Sequence, residues 1–572
     1  MRRAFCLLAT LGFLSQGVLA QSAVSQGVPP VIRVTTHLVQ VSVTAVDSRG
    51  RPVSKLTPDD FKIEDEGVPQ AIRFFVEESG AAPHSDTGAE APVLPPGHFS
   101  NRQAVRDIAP LSLTIILFDQ LNTTFSDQAF AQKALGEFLQ KSPPAGPTAI
   151  YLLNGQLLVL RDFSLNRSAL TASVSQIKPH EDNARFAATP RPAATGLPSD
   201  PFENMIRARE ARYFLPERRI RPTLEAFRAI ADSLANIPGR KNVIWLSGSF
   251  PIAVGMQSTP LIKDFPRDFA VYEEKLSQLA RRMSAANIAV YPVDVRGLTT
   301  LDLGVEDNVP PISAGLNWPS MGDAGMMGAA TSQAVASPDP SFAVTLYEIA
   351  DWTGGRSFMG SNDLRGELEQ AAADGQQYYL LGFYPDVGKW DGKFHYLKVT
   401  VLRPGVKVRA RKGYFAADEA QLDESGKMLR LQLAESSPLN VSEVALELKA
   451  YKHIQNDTTT VHTQLELNPS QLAFRPVGSG WLGTVVLVFL QRGETVQPLS
   501  ELRRTIEIRL SNAQYEKALK HSLRFSTPLK LAPAAEDLRI LIQDASSGSV
   551  GSLTIPISTV PSGYGLGENV IR

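Results

Sequence analysis

Residues 111–118, Leu-Ser-Leu-Thr-Ile-Ile-Leu-Phe, form a run with little polar interruption that ends on a carboxylate, Asp119. The run is too short for a membrane helix and has the length of a strand. A strand without polar alternation has apolar partners on both faces, which places it in a sheet covered by helices above and below. The chain downstream agrees. Residues 126–140 carry Phe130, Ala134, Leu135 and Phe138 at helical spacing, and 223–236 put Leu224, Phe227, Ile230 and Leu234 on one helical face. Strands are predicted at 148–153 and 156–160, around Asn154-Gly155, and at 242–246, 288–295 and 378–384. Helices are predicted at 272–286, 342–353 and 364–373, the second ended by Gly354-Gly355. Strands alternating with helices predict a doubly wound, mostly parallel sheet with helices on both faces.

On either side the period changes to two. Val39, Val41, Val43 and Ala45 alternate with polar residues, as do Val444, Leu446, Leu448 and Ala450. The fold class predicted is a multi-domain α/β plus all-β protein, a central doubly wound (Rossmann-like) domain flanked by β-sandwich-like domains. In order, the expected parts are a signal peptide (1–20), an N-terminal β-sandwich-like domain (31–78), a linker (79–109) and the central domain (110–385). A β-hairpin extension (386–415), a C-terminal β-sandwich (429–560) and a Gly-rich tail (561–572) follow. Two segments interrupt the central domain, a polar Arg-rich one at 180–221 and a Gly, Ala, Ser, Pro and Met-rich one at 299–340.

The first residues carry an address. Arg2 and Arg3 precede an apolar stretch over 4–14, and Val18-Leu19-Ala20 supplies small residues for cleavage after Ala20. An exported protein is expected, periplasmic or extracellular. Cys6 is the single cysteine and lies in this leader, so the mature chain is expected to hold no disulfide, thiolate metal site or cysteine nucleophile. No later run has the 18 or more apolar residues of a spanning helix, so no transmembrane segment is expected in the mature chain. A net charge of -1 gives no overall field toward nucleic acid, and no nucleic-acid partner is expected.

Doubly wound domains take ligands at the carboxyl ends of their strands. The first such end here reads Asp119-Gln120-Leu121-Asn122-Thr123-Thr124. An Asp just after a buried strand, followed by hydroxyls and a helix, suits Mg²⁺ or Mn²⁺. Asp119 and Thr123 could equally serve only to cap the following helix. With Leu56-Thr57-Pro58-Asp59-Asp60-Phe61, Glu64-Asp65-Glu66-Gly67, Pro238-Gly239-Arg240-Lys241-Asn242, Tyr378-Tyr379-Leu380-Leu381-Gly382-Phe383-Tyr384-Pro385 and Arg409-Ala410-Arg411-Lys412-Gly413-Tyr414, the loop makes the chain resemble the von Willebrand factor A-related family of acidobacterial type.

The resemblance implies a von Willebrand factor A-type central domain and a metal-ion-dependent adhesion site, whose ion keeps one position open for a carboxylate of a partner protein. By position, Asp119 matches the leading Asp, Thr123 the second Ser, Thr223 the loop Thr, and Ser247 stands where a second Asp belongs. Leu121 replaces the first Ser. The site so implied is degenerate, because Leu121 has no ligating atom and Ser247 removes a full negative charge.

Other chemistry is sparse. The eight His lack zinc spacing, and His395 is expected at the surface of a strand or hairpin. No Gly-x-Ser-x-Gly elbow is present, and Gly563, Gly565 and Gly567 neither follow a strand nor open a helix. Two basic stretches could meet an acidic partner or an anionic surface, or simply be solvated: Arg207, Arg209, Arg212, Arg218, Arg219 and Arg221 in the first insertion, and Lys407, Arg409 and Arg411 on one face of a strand. No catalytic residue is assigned. The expected function is that of an exported binding or scaffold protein with a protein partner. The alternatives are an exported hydrolase using Ser247 or Ser249 near Asp119, and a purely structural envelope protein.

Overall fold

The computed structural model describes residues 38–79, 94–102, 112–180, 201–248, 268–297, 341–375, 377–385, 393–416, 422–456, 458–494 and 497–563. The expected signal peptide with Cys6, most of the linker, Ser249, the insertion at 299–340 and most of the tail lie outside the described residues. Among the described residues no helix is long and apolar enough to cross a membrane.

The protein has mixed α/β content, with most strand pairs antiparallel. The exception is the central five-stranded sheet. Its order is Ile288–Asp294, Lys241–Ser247, Leu113–Asp119, Thr148–Leu153, Leu157–Ser164. The first four strands are parallel, and the last is antiparallel to its neighbour. The reversal follows from Asn154-Gly155, since so short a connection can only return the chain alongside itself. Ile115, Leu117, Val243 and Trp245 face one layer, formed by the helices Pro201–Leu234, Asp268–Ala285 and Ser341–Thr353. Ile116, Phe118, Ile244 and Leu246 face the other, formed by Phe125–Lys141, Arg167–Ser175 and Leu364–Asp374. Both faces are dry, which is why these strands read as unbroken apolar runs. Arg167–Ser175 has no counterpart in the sequence reading, and neither do the helices Glu424–Ser436 and Asn512–Lys520 in the C-terminal part.

Residues 378–384, expected in the central sheet, are elsewhere. The strand Gln377–Phe383 pairs antiparallel with Val39–Val46 and with Phe74–Ser79, and Lys407–Ala410 completes that sheet. A second sheet, of Gly413–Phe415, Phe394–Val401, Phe61–Asp65 and Val68–Gln70, closes over it. Val41, Val43, Ile63, Tyr379, Leu381 and Phe383 fill the space between. The segments expected as an N-terminal domain (31–78) and a hairpin extension (386–415) thus share one core with the end of the expected central domain. The other face of Gln377–Phe383 is also covered, for the Tyr378 hydroxyl accepts a 2.9 Å hydrogen bond from the buried Arg240 N–H. Burial on both faces makes the strand look, in sequence, like one from the central sheet.

His395, expected at the surface, is buried. It shares the inner face of Phe394–Val401 with Leu397, and its Nδ1 lies 3.4 Å from the Asp65 carboxylate, while Tyr396 is exposed. Alternation alone does not say which face of a strand is the inner one. The C-terminal part stacks two sheets over a third core, and His98–Ser100, from the expected linker, adds to its Leu446–Gln455 strand.

Val41 and Leu381 are directly paired on neighbouring strands of one sheet of the composite sandwich. Because residues in contact couple, Val41→Ala and Leu381→Ala together should differ from the sum of the single changes by about 0.5–3 kcal/mol in denaturant unfolding. Strict additivity would mean that the two segments do not share a core.

Candidate functional site

The chain leaves Leu113–Asp119 to form Thr148–Leu153 on one side of it and returns to form Lys241–Ser247 on the other. The two connections run over opposite faces, so a crevice opens between the carboxyl ends of Leu113–Asp119 and Lys241–Ser247, where such folds take ligands. Asp119 and Ser247 end these two strands, and Asp294 ends the next one, paired in register with Ser247.

Asp119 is 1% exposed. Its Oδ1 accepts the Asn122 backbone N–H at 2.9 Å. Its Oδ2 accepts Asn122 Nδ2 at 2.8 Å, Ser247 Oγ at 2.9 Å and Trp245 Nε1 at 3.0 Å. Three donors crowd Oδ2 and one takes Oδ1, so four protein donors surround the carboxylate, most of them on one oxygen. Burial pushes the Asp119 carboxyl above its ordinary range, and the hydrogen bonds from Asn122, Ser247 and Trp245 oppose that shift.

Asn122 carries the network onward. Its Nδ2 also donates to Thr223 Oγ1 at 3.0 Å, and its Oδ1 accepts Arg219 Nε at 3.0 Å. Thr223 in turn donates to the Arg219 carbonyl at 2.7 Å. Thr223 therefore lies well inside the helix Pro201–Leu234, not at the start of a helix as the sequence suggested. The second half of the Arg-rich insertion is the front of this helix. Of its arginines, Arg219 joins the site, Arg221 pairs with Glu225 one turn on, and the side chains of Arg207, Arg209 and Arg212 lie outside the described residues.

Thr123 turns away from Asp119, and its Oγ1 accepts the Gly248 N–H at 3.0 Å. A Cβ on Gly248 would stand 3.0 Å from the Asn122 carbonyl oxygen and 3.3 Å from Thr123 Cα, so a larger residue would push the two loops apart. Leu121 is buried in the sheet's core, and Gln128 ties the loop back by donating to the Thr123 carbonyl at 2.9 Å. The helix cap is Thr124, which accepts from Asp127 N, and neither Asp119 nor Thr123 fills that role.

The structure thus brings Asp119, Thr223 and Ser247 into one network through Asn122, with Thr123 on its border. The residues so arranged do not fit a resident Mg²⁺ or Mn²⁺. A hard cation needs several oxygen ligands, whereas three of the four donors on Asp119 are amide and indole N–H groups, which cannot ligate one, and the fourth, the Ser247 hydroxyl, brings no charge. The Arg219 guanidinium, bound to Asn122, adds a charge of the wrong sign. Among the described residues, no group of three or more His, Cys, Asp or Glu could hold a metal ion.

Sequence reasoning gave Asn122 only a part in organising the loop, placed Arg219 in a basic stretch apart from this site, and gave no role to Trp245 or Asp294. Asp294 was within reach, since it ends a buried strand just as Asp119 does. Arg296 grips it in a fork, Nε to Oδ1 at 2.9 Å and a terminal nitrogen to Oδ2 at 2.7 Å. Beside them lies Glu367, 7% exposed, whose Oε2 has no hydrogen-bond partner. Burial, with Asp294 and Asp363 nearby, raises its carboxyl to about 7. Outside this closed network the surface turns outward at Thr124, Phe125 and Ser126, with Phe125 50% exposed.

No protein-family model matches the chain, and no curated protein does. Among solved structures it is similar to an aerotolerance-related membrane protein from Bacteroides fragilis, at 10% identity over 46% of this chain and 98% of that one, with a TM-score of 0.24. It is similar to a von Willebrand factor type A protein from Catenulispora acidiphila, at 10% identity over 79% and 67% of the two chains, with a TM-score of 0.23. A minor pilin, PilB, from Streptococcus sanguinis matches at 9% identity over 60% and 87%, with a TM-score of 0.22. These likenesses are weak and assign no family.

Glu367 gives the site a pH signature. Its folded pKa is raised from the ordinary 4.5 to about 7, so the folded state holds a proton that the unfolded chain releases. Its contribution to stability is full below the ordinary value and is lost as pH rises through about 7. Glu367→Gln should therefore unfold at higher denaturant than wild type above neutrality, and the gap should close on acidification. A gap that does not vary with pH would contradict this.

Proposed function

We propose that this chain is an exported protein-binding or scaffold protein. Its von Willebrand factor A-like α/β domain would recognise a partner protein through the strand-end face, and the sandwiches would hold that face in place. The adhesion site is read as degenerate and metal-free, with Asp119 keeping the loop in shape instead of touching the partner. The observation that carries this reading is the closed network at the crevice. Four donors on one buried carboxylate fix two strand-end loops and present Thr124, Phe125 and Ser126 beyond them. An exposed aromatic on a rigid mount is the kind of anchor that dominates protein interfaces. Export rests on the leader, Arg2, Arg3, the apolar 4–14 and Ala20.

The hydrolase alternative would need Ser247 as a nucleophile. Ser247 is 1% exposed and its hydroxyl donates to Asp119, so a substrate cannot reach it in this arrangement. Ser249, the other candidate, lies outside the described residues.

Two measurements test the proposal. Titration with Mg²⁺ or Mn²⁺ at millimolar concentration should give no heat, and a signal abolished by Asp119→Ala would overturn the metal-free reading. In a pull-down from envelope extract, a partner recovered by wild type should fall about tenfold or more with Phe125→Ala, the loss expected of an aromatic hot spot. Asp119→Ala should lower recovery too, by releasing the loop. Equal recovery by all three proteins would contradict the assigned face.

A further inference from the structure

Far from Asp119, a second concavity of about 900 Å³ runs along the seam between the composite sandwich and the α/β layer. Its walls carry seven basic side chains and two carboxylates, on a chain whose net charge is -1. Both carboxylates are already engaged, Asp374 with Arg409 and Asp351 with Lys412. Lys398 leans on Glu64 at 3.9 Å. Arg49, Arg356, Lys407 and Arg411 remain, with no carboxylate partner among the described residues.

Arg411 is the unusual member. It is half-buried at the foot of the cleft, where one terminal nitrogen donates to the Gln40 carbonyl at 2.7 Å. Its Nε is buried without any hydrogen-bond partner. Burial lowers its pKa to about 10. A guanidinium held in this way costs stability unless an anion completes it. Its position is fixed from behind, because Gly354, at φ +76°, lets the end of the Ser341–Thr353 helix approach to where a Cβ would stand 3.0 Å from Arg411 N. Lys407 and Arg409 precede it at alternate positions, so the strand sets out cations about 7 Å apart.

We propose that this cleft binds a ligand carrying two or more phosphate groups. Four cations outside any ion pair among the described residues call for a dense anion with acceptors only. A phosphate brings up to two negative charges and three acceptor oxygens, and it matches the guanidinium fork. The volume fits an extended small molecule or a short stretch of a phosphodiester polymer.

Calorimetric titration of the full chain tests this with three probes: inorganic tripolyphosphate, a glycerol-phosphate oligomer and a hexaglutamate peptide. Tripolyphosphate should bind, and more weakly as salt is raised. Arg411→Gln should lower its affinity about tenfold or more, the loss expected when a charge-assisted hydrogen bond is removed. Lys407→Glu, at an exposed position that leaves the fold intact, should lower it too, which separates loss of the site from loss of folding. Tighter binding of the oligomer than of tripolyphosphate would identify a phosphodiester polymer as the source of the phosphates. Absence of phosphate binding at millimolar concentration, affinity unchanged in both variants, or preference for hexaglutamate would overturn the proposal.

Discussion

A buried carboxylate needs hydrogen-bond donors, and the way Asp119 gathers four of them organises the crevice of the α/β domain. Its four donors come from two places: its own loop through Asn122, and the neighbouring strand through Trp245 and Ser247. Asn122 extends the constraint to a helix by bridging to Thr223 and Arg219. Trp245 is held from the other side by Phe227, packed edge-on at 4.8 Å, so the carboxylate network and the apolar core meet in one side chain. Removing the carboxylate would take that acceptor from the Trp245 indole, the Ser247 hydroxyl and the Asn122 amides, and a buried donor left unsatisfied costs about 1–3 kcal/mol.

This arrangement separates two roles that an adhesion site combines. In the degenerate version proposed here, the leading Asp no longer holds an ion for a partner to complete. The hydroxyl of Ser247 and the amide of Asn122 occupy its oxygens, and the loop gains rigidity. Recognition then falls to what stands outside the network, the exposed turn Thr124-Phe125-Ser126, and the basic cleft at the far seam provides a second, independent surface.

What the sequence made legible follows from how local each constraint is. Leu113–Asp119 and Lys241–Ser247 could be read because helices cover both of their faces and keep 115–118 and 243–246 wholly apolar. The helices Phe125–Lys141 and Ser341–Thr353 could be read from their periodicity. Asp119, Thr223 and Ser247 could be proposed as neighbours because strand ends converge at a crevice and because of the family resemblance. Arg219 could not, since its reach to Asn122 depends on how one long helix crosses the sheet. The composite sandwich was hidden for the same reason. Val41 meets Leu381 across hundreds of residues of chain, and no local pattern records that pairing. Gln377–Phe383 was misplaced because burial on both faces is all that its sequence reports. Arg409 and Arg411 alternate as a solvated strand would, yet Arg409 pairs with Asp374 and Arg411 is half-buried.

The central claim is that Asp119 is closed by protein donors, and the Trp245 indole proton reports on it directly. In nitrogen-15 labelled protein, with the resonance assigned by Trp245→Phe, this N–H should exchange slowly with solvent and keep its chemical shift when Mg²⁺ is added at millimolar concentration. It should become exchangeable in Asp119→Ala. Rapid exchange in the wild type, or a shift on adding Mg²⁺, would contradict the account.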